Sequence, residues 1–122
     1  MYPGNEKRRV ARTQVEWSVT IQTSKGTIST EVRDISVEGA FIRASNPLDL
    51  GEFFKMFIKV PALDRPLLVD AQVVWTCDRK FDYSVGSSGM GVKFTQITAR
   101  DRNLLNEVIS THPYPGNMSQ KT

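Results

Sequence analysis

Hydrophobic and polar residues alternate strictly in the first patterned segment of the chain, from Val15 to Gln22. The odd-numbered residues are apolar and the even-numbered ones are polar, which is the period of a strand with one buried face. A second alternating segment covers residues 28–33, and Ser24-Lys25-Gly26 lies between the two. Two alternating segments joined by a short link that contains glycine predict a β-hairpin.

Four further strands are predicted downstream, and turn residues such as proline and glycine separate them. They cover residues 40–43, 53–60, 67–75 and 89–94. In the fifth strand we place Trp75 on the apolar face. We interpret Trp17, Trp75 and the phenylalanines as core residues. Residues 61–66 are predicted to form a turn, and residues 78–88 a longer loop.

The spacing of apolar residues changes after the sixth strand. Thr98 is a favourable N-cap residue, and Asp101 follows it near the positive end of the helix dipole. The apolar residues that recur at helical spacing are Leu104, Leu105, Val108 and Ile109. These features predict a helix over residues 98–111. Six short strands and one terminal helix predict an all-β fold, an antiparallel barrel or sandwich with the helix at its mouth.

The length of 122 residues fits one domain. We expect that domain to cover residues 7–111 and the two ends of the chain to be disordered. The expected segments are a disordered N-terminus at 1–6, a basic arm at 7–14, the barrel at 15–95, the helix at 98–111 and a disordered tail at 112–122.

Positive charge is concentrated in the arm. Lys7, Arg8, Arg9 and Arg12 place four cations within six residues, whereas the formal net charge of the whole chain is +3. The remainder of the chain is therefore close to neutral, and the basic character belongs to one short segment.

Composition excludes several functional classes. Cys77 is the only cysteine and His112 the only histidine, so neither an internal disulfide nor a set of three His or Cys zinc ligands can form. No apolar segment approaches about 20 residues, the length that crosses a bilayer, and no apolar region follows the basic residues as in a secretory signal. Gly86–Gly91 precedes a strand and not a helix, which argues against a phosphate-binding P-loop. We expect a soluble, cytoplasmic protein that is not an enzyme and holds no metal or cofactor.

The arm and the polar turn after the second strand together suit a guanine nucleotide. Arg8 and Arg12 carry planar forks that pair with phosphate or with the O6 and N7 edge of guanine. Asp34 accepts hydrogen bonds only, which matches the N1–H and N2–H2 donors of guanine. Ser36 can donate or accept, and Gly39 lets a ligand approach the backbone. The alternative interpretation is a solvated basic tail, and a turn in which Asp34 and Ser36 bind local backbone amides.

The same residues resemble the signatures of a known family. Arg8-x-x-x-Arg12 ahead of the first strand and Asp34-x-Ser36-x-x-Gly39 between the second and third strands look like the two motifs of the PilZ domain. Weaker similarities continue in the expected order at residues 47–51, 73–75 and 89–94. The resemblance therefore covers about residues 6 to 110, nearly the whole predicted fold.

The resemblance implies a six-stranded antiparallel β-barrel with a C-terminal α-helix. It also implies binding of the bacterial second messenger cyclic di-GMP. By motif match, Arg8 and Arg12 would contact guanine and phosphate from the arm, while Asp34, Ser36 and Gly39 would receive a guanine edge on the barrel surface.

We therefore hypothesise a stand-alone cyclic di-GMP receptor. A dianionic ligand would neutralise the arm, and the ordered arm would present a new surface to a partner protein. Lys7 precedes the first arginine, a position thought to influence whether one ligand or a stacked pair binds, and lysine there leaves both stoichiometries open.

Two other hypotheses compete with the receptor. The first is a PilZ-like adaptor of pilus or motility machinery, whose arm serves a protein and not a nucleotide. The second is a barrel that binds single-stranded nucleic acid. It fits less well, because the charge is confined to the arm and most aromatic residues are predicted to alternate inward.

Overall fold

The computed structural model describes residues 12–77 and 88–111 of the chain. The predicted arm up to residue 11, residues 78–87 of the predicted loop and the predicted tail from His112 lie outside the described residues. The elements are β1 (Thr13–Thr23), β2 (Gly26–Ile35), β3 (Gly39–Arg43), β4 (Phe53–Ile58), β5 (Leu67–Cys77), β6 (Gly89–Gln96) and α1 (Ala99–Thr111). These six strands and the helix follow the order that the hydrophobic pattern predicts.

The strands form a closed antiparallel barrel in the order β1-β2-β3-β6-β5-β4. β4 pairs back to β1, with Val19 opposite Ile58 and Ile21 opposite Met56. Closure gives each of the six described strands two hydrogen-bonded neighbours, which removes their open edges. The resemblance-based prediction of a six-stranded barrel with a C-terminal helix is confirmed, and the sandwich alternative is ruled out.

A tight turn joins β1 and β2 in the predicted hairpin. Thr23 pairs with Gly26 at the end of the ladder, and Gly26 has a φ of 138°, a conformation that favours glycine. The Thr23 hydroxyl closes the turn, because Oγ1 accepts a hydrogen bond from the Lys25 amide at 3.0 Å and donates one to the Gly26 carbonyl at 3.1 Å. These local bonds support the register that places the apolar face of both strands inside.

Alternate strand residues fill the interior of the barrel. The fully buried side chains include Ile21, Ile35, Ile42, Met56 and Val69. Leu105 and Ile109 of α1 join the same hydrophobic cluster. Because apolar side chains occupy the interior, ligand chemistry has to be sought on the outer surface. The described part of the chain has no helix long and apolar enough to cross a membrane.

Thr98 caps α1 as predicted. Its Oγ1 accepts a hydrogen bond from the Asp101 amide at 3.1 Å, and its carbonyl accepts one from the Arg102 amide at 2.9 Å. Asp101 is buried, and its carboxylate lies 3.9 Å from the guanidinium of Arg65 in the β4–β5 connection. The cap completes the hydrogen bonding of the first turn of α1, and the ion pair links that turn to the β4–β5 connection.

The prediction that Trp75 packs in the core is wrong. Val73 lies opposite Val92 and Trp75 opposite Gly91, so β5 carries one more residue than β6 between these pairs. Such a bulge shifts the alternation by one residue, and the next side chain then points to the other face. Trp75 is accordingly 49% exposed. Phe53 also departs from the predicted core, because it lies on the outward face of β4 and is 64% exposed.

Candidate functional site

Five residues on five strands form a row across the outer surface of the barrel. Gln14 lies opposite Asp34, Asp34 opposite Phe41, Phe41 opposite Gly91, and Gly91 opposite Trp75. Directly opposed residues of antiparallel strands share one face of the sheet, so neighbours in this row are in reach of each other. Register shifts in the β1–β2, β2–β3 and β5–β6 pairings accompany this alignment. We refer to these five positions as the outer row.

Two aromatic rings occupy one half of the outer row. The ring centroids of Phe41 and Trp75 are 5.3 Å apart, and the ring planes meet at 22°, so the rings are stacked. Such pairs contribute about 0.5–1.5 kcal/mol beyond their burial. The stack ties β3 to β5 across the intervening strand β6 and builds an aromatic surface beside Asp34.

Two glycines of β6 make room for these rings. A Cβ atom on Gly91 would overlap the indole of Trp75, and a Cβ atom on Gly89 would overlap the ring of Phe41. The outer surface of β6 is therefore bare at these two positions, and aromatic side chains of the neighbouring strands occupy the space.

A cleft of 460 Å³ adjoins the aromatic pair, and this volume is within the range of small-molecule sites. Phe41 and Trp75 contribute its aromatic lining, and Arg12 and Lys93 contribute cations. A second cleft, of 430 Å³, contains Asp34 and shares Phe41 with the first. Aromatic faces, cations and a carboxylate acceptor together suit an aromatic anion that also carries hydrogen-bond donors.

Arg12 and Asp34, both predicted as site residues, are bonded to each other. The Arg12 Nε and Nη2 atoms each lie 3.1 Å from Oδ1 of Asp34. The side chains are 50% and 36% exposed, respectively, and exposed ion pairs stabilise a fold by about 0–1 kcal/mol. The ion pair therefore contributes little to stability. Its main effect is to fix the position of Arg12, which directly precedes β1, over the outer row.

Ser36 closes the turn between β2 and β3. Its amide donates to the Gly39 carbonyl at 2.9 Å. Its hydroxyl accepts from the amides of Glu38 at 3.1 Å and Gly39 at 3.3 Å, and it donates to the Gly39 carbonyl at 3.4 Å. The residue is 1% exposed. The alternative interpretation of the sequence was that Ser36 binds local backbone amides, and Ser36 does so here. Its hydroxyl therefore stabilises the shape of the turn.

The same turn is attached to both β6 and α1. The Phe94 amide donates to the Glu38 carbonyl at 2.9 Å. Arg102 of α1 extends Nη1 to within 3.4 Å of the Val37 carbonyl. A Cβ atom on Gly39 would overlap the Val92 carbonyl, so glycine permits close packing of β3 on β6. The Ser36 hydroxyl, strand β6 and helix α1 thus all hold this turn in place.

The structure brings four of the five predicted site residues together. Arg12, Ser36 and Gly39 line the larger cleft, and Asp34 lies beside it through its bond to Arg12. Arg8 lies outside the described residues.

Sequence reasoning missed the aromatic pair and two charged residues of the larger cleft, Glu38 and Lys93. The Gly89-Met-Gly91 spacing was the available signal for the rings. Glycines on one face of a strand leave space that an aromatic neighbour can fill. Within the described ranges, no group of three His, Cys, Asp or Glu side chains is placed to hold a metal ion. The site offers groups for recognition: cations, carboxylates and aromatic faces.

The fold places the chain among small antiparallel β-barrels that carry a C-terminal helix. The PilZ domain family model matches residues 6–110, and the chain belongs to this family. The resemblance stated from the two motifs is confirmed by this match. No curated protein matches the sequence.

Solved structures share the fold at low sequence identity. The inhibitor of motility MotI/DgrA of Bacillus subtilis is 23% identical, with a TM-score of 0.70, over 85% of this chain and 49% of that one. The PilZ domain of YcgR from Escherichia coli, solved with c-di-GMP, is 16% identical, with a TM-score of 0.68, over 94% of this chain and 96% of that domain. The MrkH–c-di-GMP complex of K. pneumonia is 14% identical, with a TM-score of 0.62, over 84% of this chain and 50% of that one. The chain thus spans about half the length of MotI and MrkH.

Proposed function

We propose that the protein is a receptor for cyclic di-GMP that signals to a partner protein. The observation that carries the proposal is the outer row, which places the Asp34 carboxylate next to the stacked Phe41–Trp75 pair and under the guanidinium of Arg12. Two solved relatives of the same fold contain this nucleotide, which supports the choice of ligand.

Asp34 would recognise the hydrogen-bond donors of the ligand, and Arg12 its acceptors. The carboxylate accepts hydrogen bonds from N1–H and N2–H2 of a guanine base. An ionised carboxylate offers about four acceptor sites, so a guanine edge binds at Asp34 while Arg12 retains its bond to Oδ1. The remaining guanidinium donors of Arg12 then face the phosphate or the O6 and N7 atoms of the base.

The aromatic pair supplies the second part of the proposed site. A guanine base has an extended π-face, and stacking of a base on an aromatic side chain contributes about 1–3 kcal/mol. Trp75 lines the larger cleft and is half exposed, so its indole is accessible to a base. Lys93 in the same cleft adds positive charge for the phosphates.

The output of the receptor is proposed to be a new surface for another protein. Arg8, which belongs to the first motif, would join Arg12 in holding the phosphates, and the arm would close over the ligand. The combined surface of arm and ligand would then be recognised by the partner. In this proposal the protein acts in the cytoplasm, binds its ligand without changing it chemically, and needs no cofactor.

Titration calorimetry tests the ligand. Cyclic di-GMP is compared with cyclic di-AMP, which has the same ring and charge but lacks the N1–H and N2–H2 donors that Asp34 would accept. We expect binding of cyclic di-GMP and at least about tenfold weaker binding of cyclic di-AMP, a difference of about 1.4 kcal/mol or more. Absence of binding by cyclic di-GMP at high micromolar concentration contradicts the proposal and favours the adaptor that serves a protein through its arm.

A further inference from the structure

Exposed apolar residues gather on one face of the barrel. Six large hydrophobic residues of the described part are exposed, and five of them belong to β4, β5 or the segment just before β4. Trp75, one of the five, lies in the outer row, which leaves four others. These four are Leu50, Phe53, Leu68 and Val74. Several exposed apolar residues on one face of a small domain are a mark of an interaction surface.

The pairing of β4 with β5 places Phe53 and Leu68 on one outward face, towards its two ends. Phe53 lies opposite Gln72, Lys55 opposite Asp70, and Phe57 opposite Leu68 on the outward side of the two strands. We define the β4–β5 face by its seven residues Phe53, Lys55, Phe57, Leu68, Asp70, Gln72 and Val74.

Leu50 lies at the end of this face. The Gly51 amide donates to the Val73 carbonyl at 2.8 Å, and the Gln72 Nε2 donates to the Gly51 carbonyl at 3.2 Å. These bonds hold the segment before β4 against β5, next to Val74. A cleft of 560 Å³ lined by Phe53, Lys55 and Asp70 indents the same end of the face.

A single ion pair lies in the middle of the β4–β5 face. Lys55 Nζ is 3.1 Å from Oδ1 of Asp70. Apolar residues flank it on both sides along the strands, Phe53 and Val74 towards one end and Phe57 and Leu68 towards the other. The face therefore carries no net charge, which disfavours an acidic or basic partner and suits a partner with the same stripe of apolar, charged and apolar positions.

We propose that the β4–β5 face is the interface of a homodimer, with a second copy of this chain as its partner. A two-fold axis parallel to the strands places β4 of one protomer against β5 of the other. Lys55 then faces Asp70 of the second copy, and Phe57 faces its Leu68. An axis perpendicular to the strands would bring the two Lys55 side chains together, which like-charge repulsion disfavours. The charge pattern thus selects one symmetric arrangement, an isologous interface.

The expected dimer is weak. Stable interfaces bury about 800 Å² per partner, and a face two strands wide is at the lower end of that range. We expect the dissociation constant to be micromolar, and sedimentation equilibrium of the full chain over a concentration series measures it. Val74 is the one residue of the face that also lines the 460 Å³ cleft of the outer row, so the series is measured without cyclic di-GMP and its result does not depend on the ligand proposed above.

Charge reversal gives a test that separates the interface from folding. Lys55→Asp alone leaves two carboxylates on each face, and Asp70→Lys alone leaves two ammonium groups. Each variant alone should dimerise at least about tenfold more weakly, because like charges then meet across the interface. An equimolar mixture of the two variants should form a heterodimer, since the carboxylates of the first variant then meet the ammonium groups of the second.

The Arg43–Glu31 pair serves as a matched control. It is also an exposed cross-strand ion pair, with a 3.4 Å separation, but it lies on β3 and β2. Mixing Arg43→Glu with Glu31→Arg should produce no heterodimer beyond the dimer level of the wild type. Phe53→Ser should weaken the dimer and Ile28→Ser, at the exposed apolar residue on β2, should not.

Three results would overturn the proposal. The first is a wild-type chain that stays monomeric up to about 1 mM, where a micromolar constant predicts nearly complete dimer. The second is a dimer that is unaffected by the two reversals and by Phe53→Ser. The third is a mixture of the reversed variants that remains monomeric while thermal melts show both variants folded.

Discussion

Arg12 and Asp34, 22 positions apart in the sequence, are joined by contacts of 3.1 Å from Nε and Nη2 to one carboxylate oxygen. The residue directly ahead of β1 is therefore attached to the end of β2, beside the aromatic pair of the outer row. In the proposed receptor this contact prepares the site, because it holds one end of the arm over the guanine-binding carboxylate before any ligand arrives.

Arg12→Ala and Asp34→Ala should each weaken cyclic di-GMP binding by about tenfold to a hundredfold. Each substitution removes charge-assisted hydrogen bonds to the ligand, which contribute about 1.5–3 kcal/mol. The fold should lose only about 0–1 kcal/mol, because the ion pair is exposed. Calorimetric titration gives the first quantity and urea unfolding gives the second.

Arg43→Ala is the control for these two variants. Arg43 and Arg12 have the same 50% side-chain exposure, and both are paired with a carboxylate on β2, Glu31 in one case and Asp34 in the other. Since Arg43 is not part of either cleft of the outer row, Arg43→Ala should bind the ligand as the wild type does. Equal losses in Arg12→Ala and Arg43→Ala would show that general charge, and not the site, controls affinity.

Ser36→Ala should behave differently from Asp34→Ala. The buried Ser36 hydroxyl bonds to the amides of Glu38 and Gly39, and leaving buried donors without partners costs about 1–3 kcal/mol. We expect Ser36→Ala to lower the free energy of unfolding by that amount and to weaken binding as the turn loosens. Loss of affinity with unchanged stability would instead indicate a direct bond from Ser36 to the ligand.

Local pattern predicted the scaffold, because its signals lie within short segments. The alternation from Val15 to Gln22 persists in β1 since one face of that strand is buried. Thr98 was recognisable as a cap because an N-cap bond spans only three residues. The motifs identified Arg12 and Asp34 as candidate site residues. The alternation of hydrophobic and polar residues, however, gives no information on the distance between these two side chains.

Trp75 shows why the aromatic part of the site could not be predicted from the sequence. Every odd-numbered residue from 67 to 75 is apolar, so a period of two places Trp75 inside with Val73. The bulge that turns it outward is a property of the pairing with β6, where Trp75 rather than Val74 lies opposite Gly91. The contact between Phe41 and Trp75 depends on the registers of β3, β6 and β5 together, and no single segment encodes that combination.

Trp75 fluorescence should report ligand binding. Trp75 is half exposed and lines the 460 Å³ cleft of the outer row, whereas Trp17 is buried in the core. A stacked guanine should change the emission of Trp75, and Trp75→Phe should abolish the change while retaining part of the affinity. Trp75→Ala should weaken binding by about 1–3 kcal/mol, the contribution of stacking one base. An emission change that survives in Trp75→Phe would assign the response to Trp17 and remove the indole from the site.

Gly91→Ala should be destabilising only while the indole is present. A Cβ atom on Gly91 overlaps Trp75, so the ring must move, and overpacking of this kind costs about 1–3 kcal/mol. In the Trp75→Ala background the overlap is gone. Alanine there should be neutral or stabilise by about 0.5–1 kcal/mol, since glycine is unfavourable within a strand. Urea unfolding of the two single variants and the double variant measures this coupling.

Gly89→Ala provides the control for that cycle. Its Cβ atom would overlap Phe41 rather than Trp75, so Trp75→Ala should relieve its cost much less. Equal costs of Gly91→Ala with and without the indole would contradict the packing of Trp75 on β6. If the coupling is found, Gly91→Ala should also weaken cyclic di-GMP binding, because the displaced ring no longer lies in the outer row beside Phe41.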